Sequence, residues 1–181
     1  TTVIVNTSDL GFYMGEHGWF DKRFMYEESF RTPLIIRYPA KIKAGSECTA
    51  LVQNIDYAPT YLDIAGIEKP DYMVGTSLVP LFGGEAPKDW REYLYYHYYD
   101  YPAIHMVRRH DGVRDSRYKL IHFYGEKNEH NDAISCNELY DLQSDPKELN
   151  NLYDNPDYAD IQTRLQARLD KFRGDQKVDE N

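Results

Sequence analysis

The first residues of the chain place a carboxylate, a histidine and a lysine at short spacing. A β-branched run over residues 2–8 is followed at once by Asp9, and a glycine-rich stretch then carries His17 and Lys22. Open α/β sheets place ligands for metal ions and anions where a buried strand delivers a side chain at its C-terminal end. We therefore interpret residues 9–22 as half of a candidate active site. The structural alternatives are a capping role for Asp9 and a solvated surface position for Lys22.

Composition limits the partners of the chain. It has 181 residues and a formal net charge of −9, which is enough length for one large domain or one and a half small ones. Nucleic acid is not expected as a partner because no basic stripe is present to neutralise phosphates. No apolar run of roughly 18 residues occurs, so no membrane span is expected. The chain enters a predicted strand without the charged and apolar regions of a signal peptide, which we interpret as the sign of a fragment.

The two cysteines carry little functional signal. Cys48 and Cys136 lie far apart, without C-x-x-C spacing or a histidine nearby. We expect two buried thiols, and a disulfide between them is the alternative.

The first half of the chain is predicted to be α/β. The β-branched residues 2–8 favour a buried strand of the parallel type. A short helical segment is expected at 25–30, a second strand at 33–39 between two prolines, and a short third strand at 49–52. Residues 56–65 are predicted to form a helix, which Asp56 caps at its N-terminus and which ends before Gly66.

The second half is predicted to be an antiparallel sheet with a terminal helix. Strands are expected at residues 90–101, 105–113, 117–124 and 138–142, separated by short turns. The tyrosines at 93–101 are expected to pack mainly in the core, with stacking on a sugar as the alternative. Ile161, Leu165, Leu169 and Phe172 form one apolar stripe of a helix over residues 158–172, which Gly174 is expected to end. The Gly- and Pro-rich residues 83–88 separate the two halves.

The opening motif resembles the formylglycine-dependent sulfatases of the alkaline-phosphatase-like superfamily. The similarity rests on Ser-Asp-x-Gly at residues 8–11, Gly-Glu-His-Gly at 15–18 and a lysine thirteen residues after the aspartate. It continues through Tyr-Glu-Glu at 26–28, Asp-Tyr-Ala-Pro-Thr at 56–60, Glu-Leu-Tyr-Asp-Leu at 138–142 and Asp-Pro-Lys-Glu at 145–148. The match is to the C-terminal portion of such an enzyme.

This resemblance implies a fold and a domain organisation. We expect an α/β protein, with residues 1–88 as the C-terminal part of an alkaline-phosphatase-like α/β sandwich. Residues 89–181 are then a small four-stranded antiparallel-sheet subdomain with a packed C-terminal helix.

The resemblance also implies roles for three residues. Asp9 would be a ligand of one active-site Ca²⁺, which prefers carboxylate oxygens, and Lys22 would hold the sulfate oxygens and neutralise charge as the S–O bond breaks. His17 would contact the sulfate ester or orient Lys22, and its alternative role is to brace the turn by a hydrogen bond. Leu10 departs from the family pattern, in which Asn or His follows the aspartate. We expect it to weaken calcium binding, and the alternative is that water completes the calcium shell.

The nucleophile of this family is not encoded in the chain. The family converts the Cys or Ser of a C/S-x-P-x-R motif to formylglycine, and no such motif occurs here. The formylglycine and the other calcium ligands are therefore expected in an N-terminal part of the same enzyme, which would be a partner of this chain. We expect the chain alone to be inactive.

A basic and aromatic segment is a candidate for binding the sugar. His105, Arg109 and His110 lie within six residues, and such a local positive patch suits a sulfated or carboxylated glycan. Because side chains alternate along a strand, the alternative is that half of them point into the core.

The resemblance implies a sulfuric ester hydrolase acting on a sulfated carbohydrate of the N-acetylglucosamine-6-sulfate type, in a glycosaminoglycan or mucin-type glycan. The resemblance implies a periplasmic or secreted bacterial location. Two alternatives stay open, namely a phosphoesterase of the same superfamily and a non-catalytic glycan-binding or structural module.

Overall fold

The chain divides into two compact units. The computed structural model describes residues 2–127 and 133–178. One unit comprises Thr1–Asp9 and Thr32–Leu94, and the other comprises Leu10–Arg31 and Tyr95–Asn181. Asp9 therefore belongs to the first unit, whereas the segment that carries His17 and Lys22 belongs to the second. No helix in the described ranges is long and apolar enough to cross a membrane.

The first unit begins with a two-stranded sheet. Strand β1 (Ile4–Thr7) pairs with β2 (Leu34–Arg37) in antiparallel register, with Ile4 opposite Arg37 and Thr7 opposite Leu34. The prediction of a buried, parallel-type strand at residues 2–8 was therefore wrong for this chain. Ile4 and Ile35 are 51% and 66% exposed. The β-branched run predicted a strand correctly, but composition does not determine the direction of its partner.

A helix with 3-10 turns completes this unit. Helix α2 (Tyr57–Ala65) ends at Gly66, which adopts the left-handed conformation with φ 70° that favours glycine. A 3-10 turn, Val79–Gly83, brings Leu81 and Phe82 into a small core with Leu78. Residues 49–52 form no strand, contrary to prediction; Ala50 and Val52 pack against that core, and the backbone oxygen of Leu51 accepts a hydrogen bond from Trp90 at 2.9 Å.

The side chain of Asp56 does not cap helix α2, although Asp56 is the residue before it. Asp56 closes the preceding 3-10 turn, Asn54–Asp56, where its carboxylate accepts from the backbone N–H of Gln53. The fully buried carboxylate also accepts two hydrogen bonds from Arg91, at 2.7 and 2.8 Å, and one from the Thr76 N–H at 2.9 Å. The position of Asp56 before the helix predicted a cap. The side chain instead bonds Arg91, which lies 35 residues away, and the local sequence does not reveal that contact.

The second unit contains the predicted four-stranded sheet. Its strands are β3 (Leu94–Tyr98), β4 (Arg109–Arg114), β5 (Tyr118–Lys127) and β6 (Ala133–Asp141), in spatial order β3-β4-β5-β6. The pairs β4–β5 and β5–β6 are antiparallel. The prediction of a small antiparallel sheet is thus confirmed. Tyr96 and Tyr98 pack against the core as predicted, whereas Tyr99 is 72% exposed.

Helix α3 (Ala159–Gln176) packs on strands β4 and β5. Leu165 and Leu169 of the predicted stripe are completely buried. The prediction that Gly174 ends the helix was wrong. The helix continues to Gln176, and Lys177, with a left-handed φ of 53°, ends it. A glycine inside a helix is unfavourable by only about 1 kcal/mol, so packing and an adjacent cap can outweigh it.

Residues 10–31 cross the second unit and supply much of its core. Tyr13, Phe24, Met25 and Tyr26 are buried together with Val107, Ile121, Phe123 and Tyr140. The segment ends with the short helix α1 (Glu27–Phe30), close to the predicted helical turn. Gly11 lets the backbone at residue 11 pass close to the backbone of Glu28, because a Cβ at this position would lie 1.9 Å from the Glu28 carbonyl oxygen.

A buried ionic network fixes α1 to the sheet. The Lys119 ammonium is fully buried and donates to the Met25 carbonyl at 2.7 Å. It also lies 2.8 Å from a carboxylate oxygen of Glu27 and 2.8 Å from one of Glu148. Burial alone would raise the pKa of Glu27, but Lys119 and Arg114 outweigh it and hold that pKa below its ordinary value. Each charge thus has partners, which a buried ionic group requires.

Both cysteines are exposed thiols rather than the buried ones predicted. Cys48 lies in the first unit and Cys136 in the second.

Candidate active site

Asp9 follows strand β1 and borders a shallow, open cavity. Its side chain is exposed, and Ser8 donates to its carboxylate at 3.4 Å. Its backbone oxygen accepts a hydrogen bond from the side-chain amide of Asn54 at 3.2 Å. The hydroxyls of Thr7 and Tyr57 are hydrogen bonded at 2.8 Å. The cavity, of about 440 Å³, is lined by residues of the first unit: Thr7, Ser8, Asp9, Asn54, Ile55 and Tyr57.

Lys22 lies on a loop that folds back on itself within the second unit. The Tyr13 N–H donates to the Asp21 carbonyl at 2.7 Å, and the Gly15 N–H donates to that of Trp19 at 2.9 Å. Ser29 bonds the backbone oxygen of Lys22. These bonds fix the backbone, while the Lys22 side chain is exposed and its ammonium forms no ion pair with any described residue. An exposed ammonium without a carboxylate partner is available to an anionic ligand.

The neighbours of Lys22 form a polar cluster with His105, which we call the Asp21–Arg23–His105 cluster. The Arg23 guanidinium contacts the Asp21 carboxylate and lies 2.7 Å from His105 Nε2. His105 Nδ1 lies 3.6 Å from the other Asp21 oxygen. Because Arg23 can only donate, Nε2 accepts and the His105 proton is assigned to Nδ1, facing Asp21. Asp21 and Arg23 are half-buried and His105 is exposed.

The sequence predicted a role for His105 but not for Asp21 or Arg23. The contact joins residues 82 positions apart, which no spacing pattern reveals. The available signal was the tripeptide Asp-Lys-Arg around the predicted Lys22.

His17 braces the loop rather than projecting from it. Its ring stacks on Tyr26 with centroids 4.2 Å apart and an interplanar angle of 14°. Its Nε2 lies 3.3 Å from a Glu28 carboxylate oxygen, and both side chains are nearly buried. This placement supports a structural or loop-orienting role. It offers little surface for direct contact with a sulfate ester.

His110 and Arg109 have different environments. The His110 ring is fully buried between Phe24 and Tyr98, and its Nδ1 bonds the Arg108 carbonyl at 2.8 Å. We therefore do not propose that His110 binds substrate. Arg109 is half-buried and donates through Nε to the Tyr101 carbonyl at 3.2 Å, so its predicted role stays a prediction.

His110 should make the stability of the protein pH-dependent. Burial lowers its pKa from 6.5 to about 4, so the unfolded chain binds a proton at pH values where the folded protein does not. The free energy of unfolding should therefore fall as the pH drops from 6.5 towards 4, by about 3 kcal/mol from this group. His110→Phe should remove this contribution. Urea unfolding of both proteins near pH 7.5 and 4.5 checks it, and equal pH dependence would contradict it.

The comparisons with known proteins agree with this architecture. A family model described as N-sulphoglucosamine sulphohydrolase, C-terminal, matches residues 15–175. An N-acetylglucosamine-6-O-sulfatase of Bacteroides thetaiotaomicron is 48% identical over an alignment of 199 positions. The alignment covers 99% of this chain and 34% of that protein. The chain thus spans about a third of the length of this relative.

Solved structures show the same fold. BT4656, in complex with its substrate D-glucosamine-2-N,6-O-disulfate, matches with a TM-score of 0.89 and 50% identity over 98% of this chain and 35% of that one. A phosphonate monoester hydrolase of Agrobacterium radiobacter matches with a TM-score of 0.76 and 27% identity over 96% of this chain and 35% of that one.

The fold and the matched family define an alkaline-phosphatase-like α/β protein, as the motifs predicted. The chain belongs to the family of sulfatase C-terminal regions named for N-sulphoglucosamine sulphohydrolase.

Proposed function

We propose that this chain is the C-terminal part of a sulfatase that hydrolyses a sulfate ester on a glucosamine-type sugar. The observation that carries the proposal is the Asp21–Arg23–His105 cluster, because Asp21 and Arg23 are the sequence neighbours of the exposed Lys22. Family membership supports the reaction class, and the name of the 48% identical relative supports the sugar and the sulfate position.

Each group has a role suited to its chemistry. The Lys22 ammonium would attract the sulfate oxygens and stabilise the negative charge that develops as the S–O bond breaks. The Asp21 carboxylate can accept hydrogen bonds from sugar hydroxyls, and Arg23 and His105 can donate to them or exchange their mutual bond for one to the ligand. Because the three side chains hold one another, the sugar would meet a site that is already ordered.

The family resemblance also implies a calcium ion and a formylglycine. The donors at the end of β1 fit a calcium site in kind, because Asp9 supplies a carboxylate oxygen and hydroxyl and amide oxygens lie nearby. No group of three His, Cys, Asp or Glu side chains suited to a metal was found among the described residues. We therefore assign Asp9 as one ligand of a calcium that other parts of the enzyme complete. Bound calcium would supply positive charge to the sulfate oxygens, and formylglycine would supply the nucleophile.

The remainder of the enzyme is the main partner in this proposal. Residues 1–88 would continue a larger α/β domain, and residues 89–181 would form its antiparallel-sheet subdomain. The exposure of Ile4 and Ile35 on β1 and β2 supports further structure over this sheet, because apolar strand residues are usually covered. The periplasmic or secreted location is proposed from the family resemblance.

The intact enzyme provides the test. Sulfate release, measured by ion chromatography, should be fast with N-acetylglucosamine-6-O-sulfate and glucosamine-2-N,6-O-disulfate, with loss of the 6-O-sulfate alone. Absence of sulfate release from both sugars would contradict the proposal.

The same assay separates the alternatives. The similarity to a phosphonate monoester hydrolase favours a phosphoesterase as the second candidate. Faster turnover of a phosphonate monoester than of any sulfated sugar would establish that function. Binding of the sulfated sugar without turnover would favour the other alternative, a non-catalytic glycan-binding module.

Arg23→Ala should weaken substrate binding in the intact enzyme. Loss of the guanidinium removes one side of the Asp21–Arg23–His105 cluster and leaves the Asp21 carboxylate without this partner. Removal of a charge-assisted hydrogen bond is worth about 1.5–3 kcal/mol, so kcat/KM should fall about 10- to 150-fold. Arg31→Ala is the matched control, because Arg31 is exposed on the same segment. Equal kinetics for the two variants would contradict the role of Arg23.

A further inference from the structure

Two polar contacts tie the end of strand β1 to the start of helix α2. The Asn54 amide donates to the Asp9 carbonyl at 3.2 Å, across 45 residues of sequence. The hydroxyl of Thr7, the last residue of β1, is hydrogen bonded to that of Tyr57 at 2.8 Å, across 50 residues. All four residues belong to the first unit and line the cavity beside Asp9.

The element that supplies Asn54 and Tyr57 is itself held firmly. Asn54 begins the 3-10 turn that Asp56 closes, and Tyr57 is the first residue of α2. The buried Asp56 carboxylate bonds the Gln53 and Thr76 N–H groups and both Nη atoms of Arg91. Because Asp56 is 0% exposed and its partners come from three parts of the unit, the turn has little freedom to move.

These contacts matter because an exposed carboxylate is a poor ligand when its backbone is mobile. A ligand group has to be held within about 0.5 Å of its working position. The Asn54 amide fixes the peptide group of Asp9 itself, and the Thr7–Tyr57 bond fixes the strand two residues before it. Leu10, the next residue, has no polar side chain with which to help.

We propose that Asn54 and Tyr57 are positioning residues for the calcium ligand Asp9, through the backbone at the end of β1. This inference rests on the proposed function, in which Asp9 binds calcium. Neither Asn54 nor Tyr57 needs to touch the ion. Their effect is to hold the Asp9 carboxylate in one direction before calcium binds, and loss of such a partner typically weakens metal binding about 10- to 100-fold.

Calcium titration of the intact enzyme tests the proposal. Calorimetry on protein stripped of metal should give a Kd about 10- to 100-fold weaker for Asn54→Ala than for the wild type. Tyr57→Phe removes one hydroxyl and should weaken calcium binding in the same direction by a smaller factor. Tyr61→Phe is the matched control: Tyr61 is 47% exposed one turn further along α2, and its replacement should leave the Kd unchanged.

The melting temperature of the metal-free variants separates positioning from general stability. A lower melting temperature with an unchanged calcium Kd would mean a structural role only and would overturn the proposal. If Asn54→Ala does not fold, the calcium Kd values of Tyr57→Phe and Thr7→Val test the proposal instead, because each variant removes one hydroxyl of the Thr7–Tyr57 hydrogen bond.

An Asp9→Asn variant identifies which statement fails. If Asp9→Asn binds calcium as tightly as the wild type, Asp9 is no ligand and the metal assignment in the proposed function is wrong. If Asp9→Asn loses calcium but Asn54→Ala and Tyr57→Phe do not, only the positioning role is wrong.

Discussion

Replacing Lys22 by alanine in the intact enzyme should lower kcat for the sulfated sugar about 100- to 1,000-fold. The ammonium is exposed on a loop whose backbone is fixed by Tyr13 and Ser29. The ammonium is expected to act on the transition state more than on the bound substrate, because negative charge accumulates on the leaving oxygen as the S–O bond breaks. The loss should therefore appear mainly in kcat, with a smaller change in KM.

Two further variants define the Lys22 effect. Lys22→Arg keeps the charge but changes the position of its donors, and we expect activity between those of alanine and wild type. Lys43→Ala removes an exposed lysine from the first unit and should leave kcat unchanged. Activity of Lys22→Ala within a few-fold of the wild type would rule out the assigned role.

Replacing Lys119 by methionine should be the most destabilising single substitution among the polar groups described above. Methionine approximates the volume of lysine but leaves two carboxylates, Glu27 and Glu148, without the ammonium that lies 2.8 Å from each. Breaking a buried ion pair by removing one partner lowers stability by about 3–5 kcal/mol. The expected measurement is a lower urea midpoint with an unchanged slope.

Lys147→Met provides the matched control for Lys119. Lys147 is 69% exposed and lies 4.0 Å from Glu28, so its loss should change the free energy of unfolding by less than about 0.5 kcal/mol. The double variant Lys119→Met/Glu148→Leu should recover part of the loss, because it no longer buries the unpaired Glu148 carboxylate. A Lys119→Met effect below about 1 kcal/mol would contradict the importance of the network.

Local patterns predicted most of the elements. Flanking prolines located β2, short turns located the four strands of the second unit, and the stripe with Leu165 and Leu169 located α3. The errors occurred where a distant contact outweighed a local preference. Arg91 draws the Asp56 side chain away from α2, and α3 continues through Gly174 to a cap at Lys177.

The candidate site shows the same limit. Motif spacing predicted roles for Asp9 and Lys22, because their neighbours in sequence are characteristic, and these roles stay predictions. Arg23 and Asp21 became visible only when folding placed His105 beside them. His110 lies five residues from His105 yet is buried, because the strand directs its ring into the core.

The ionic network around Lys119 has a consequence for synthesis of the protein. The loop with Lys22 lies near the start of this chain, but its anchors at Met25 and Glu27 are bonded to residues 94 and 121 positions later. Tyr26 likewise bonds Glu138, 112 positions later. A growing chain adds about 5–20 residues per second. Several seconds therefore pass between synthesis of this loop and synthesis of the residues that bond to it. A product truncated before Glu148 would carry every residue of the Lys22 loop and lack the carboxylate that holds it.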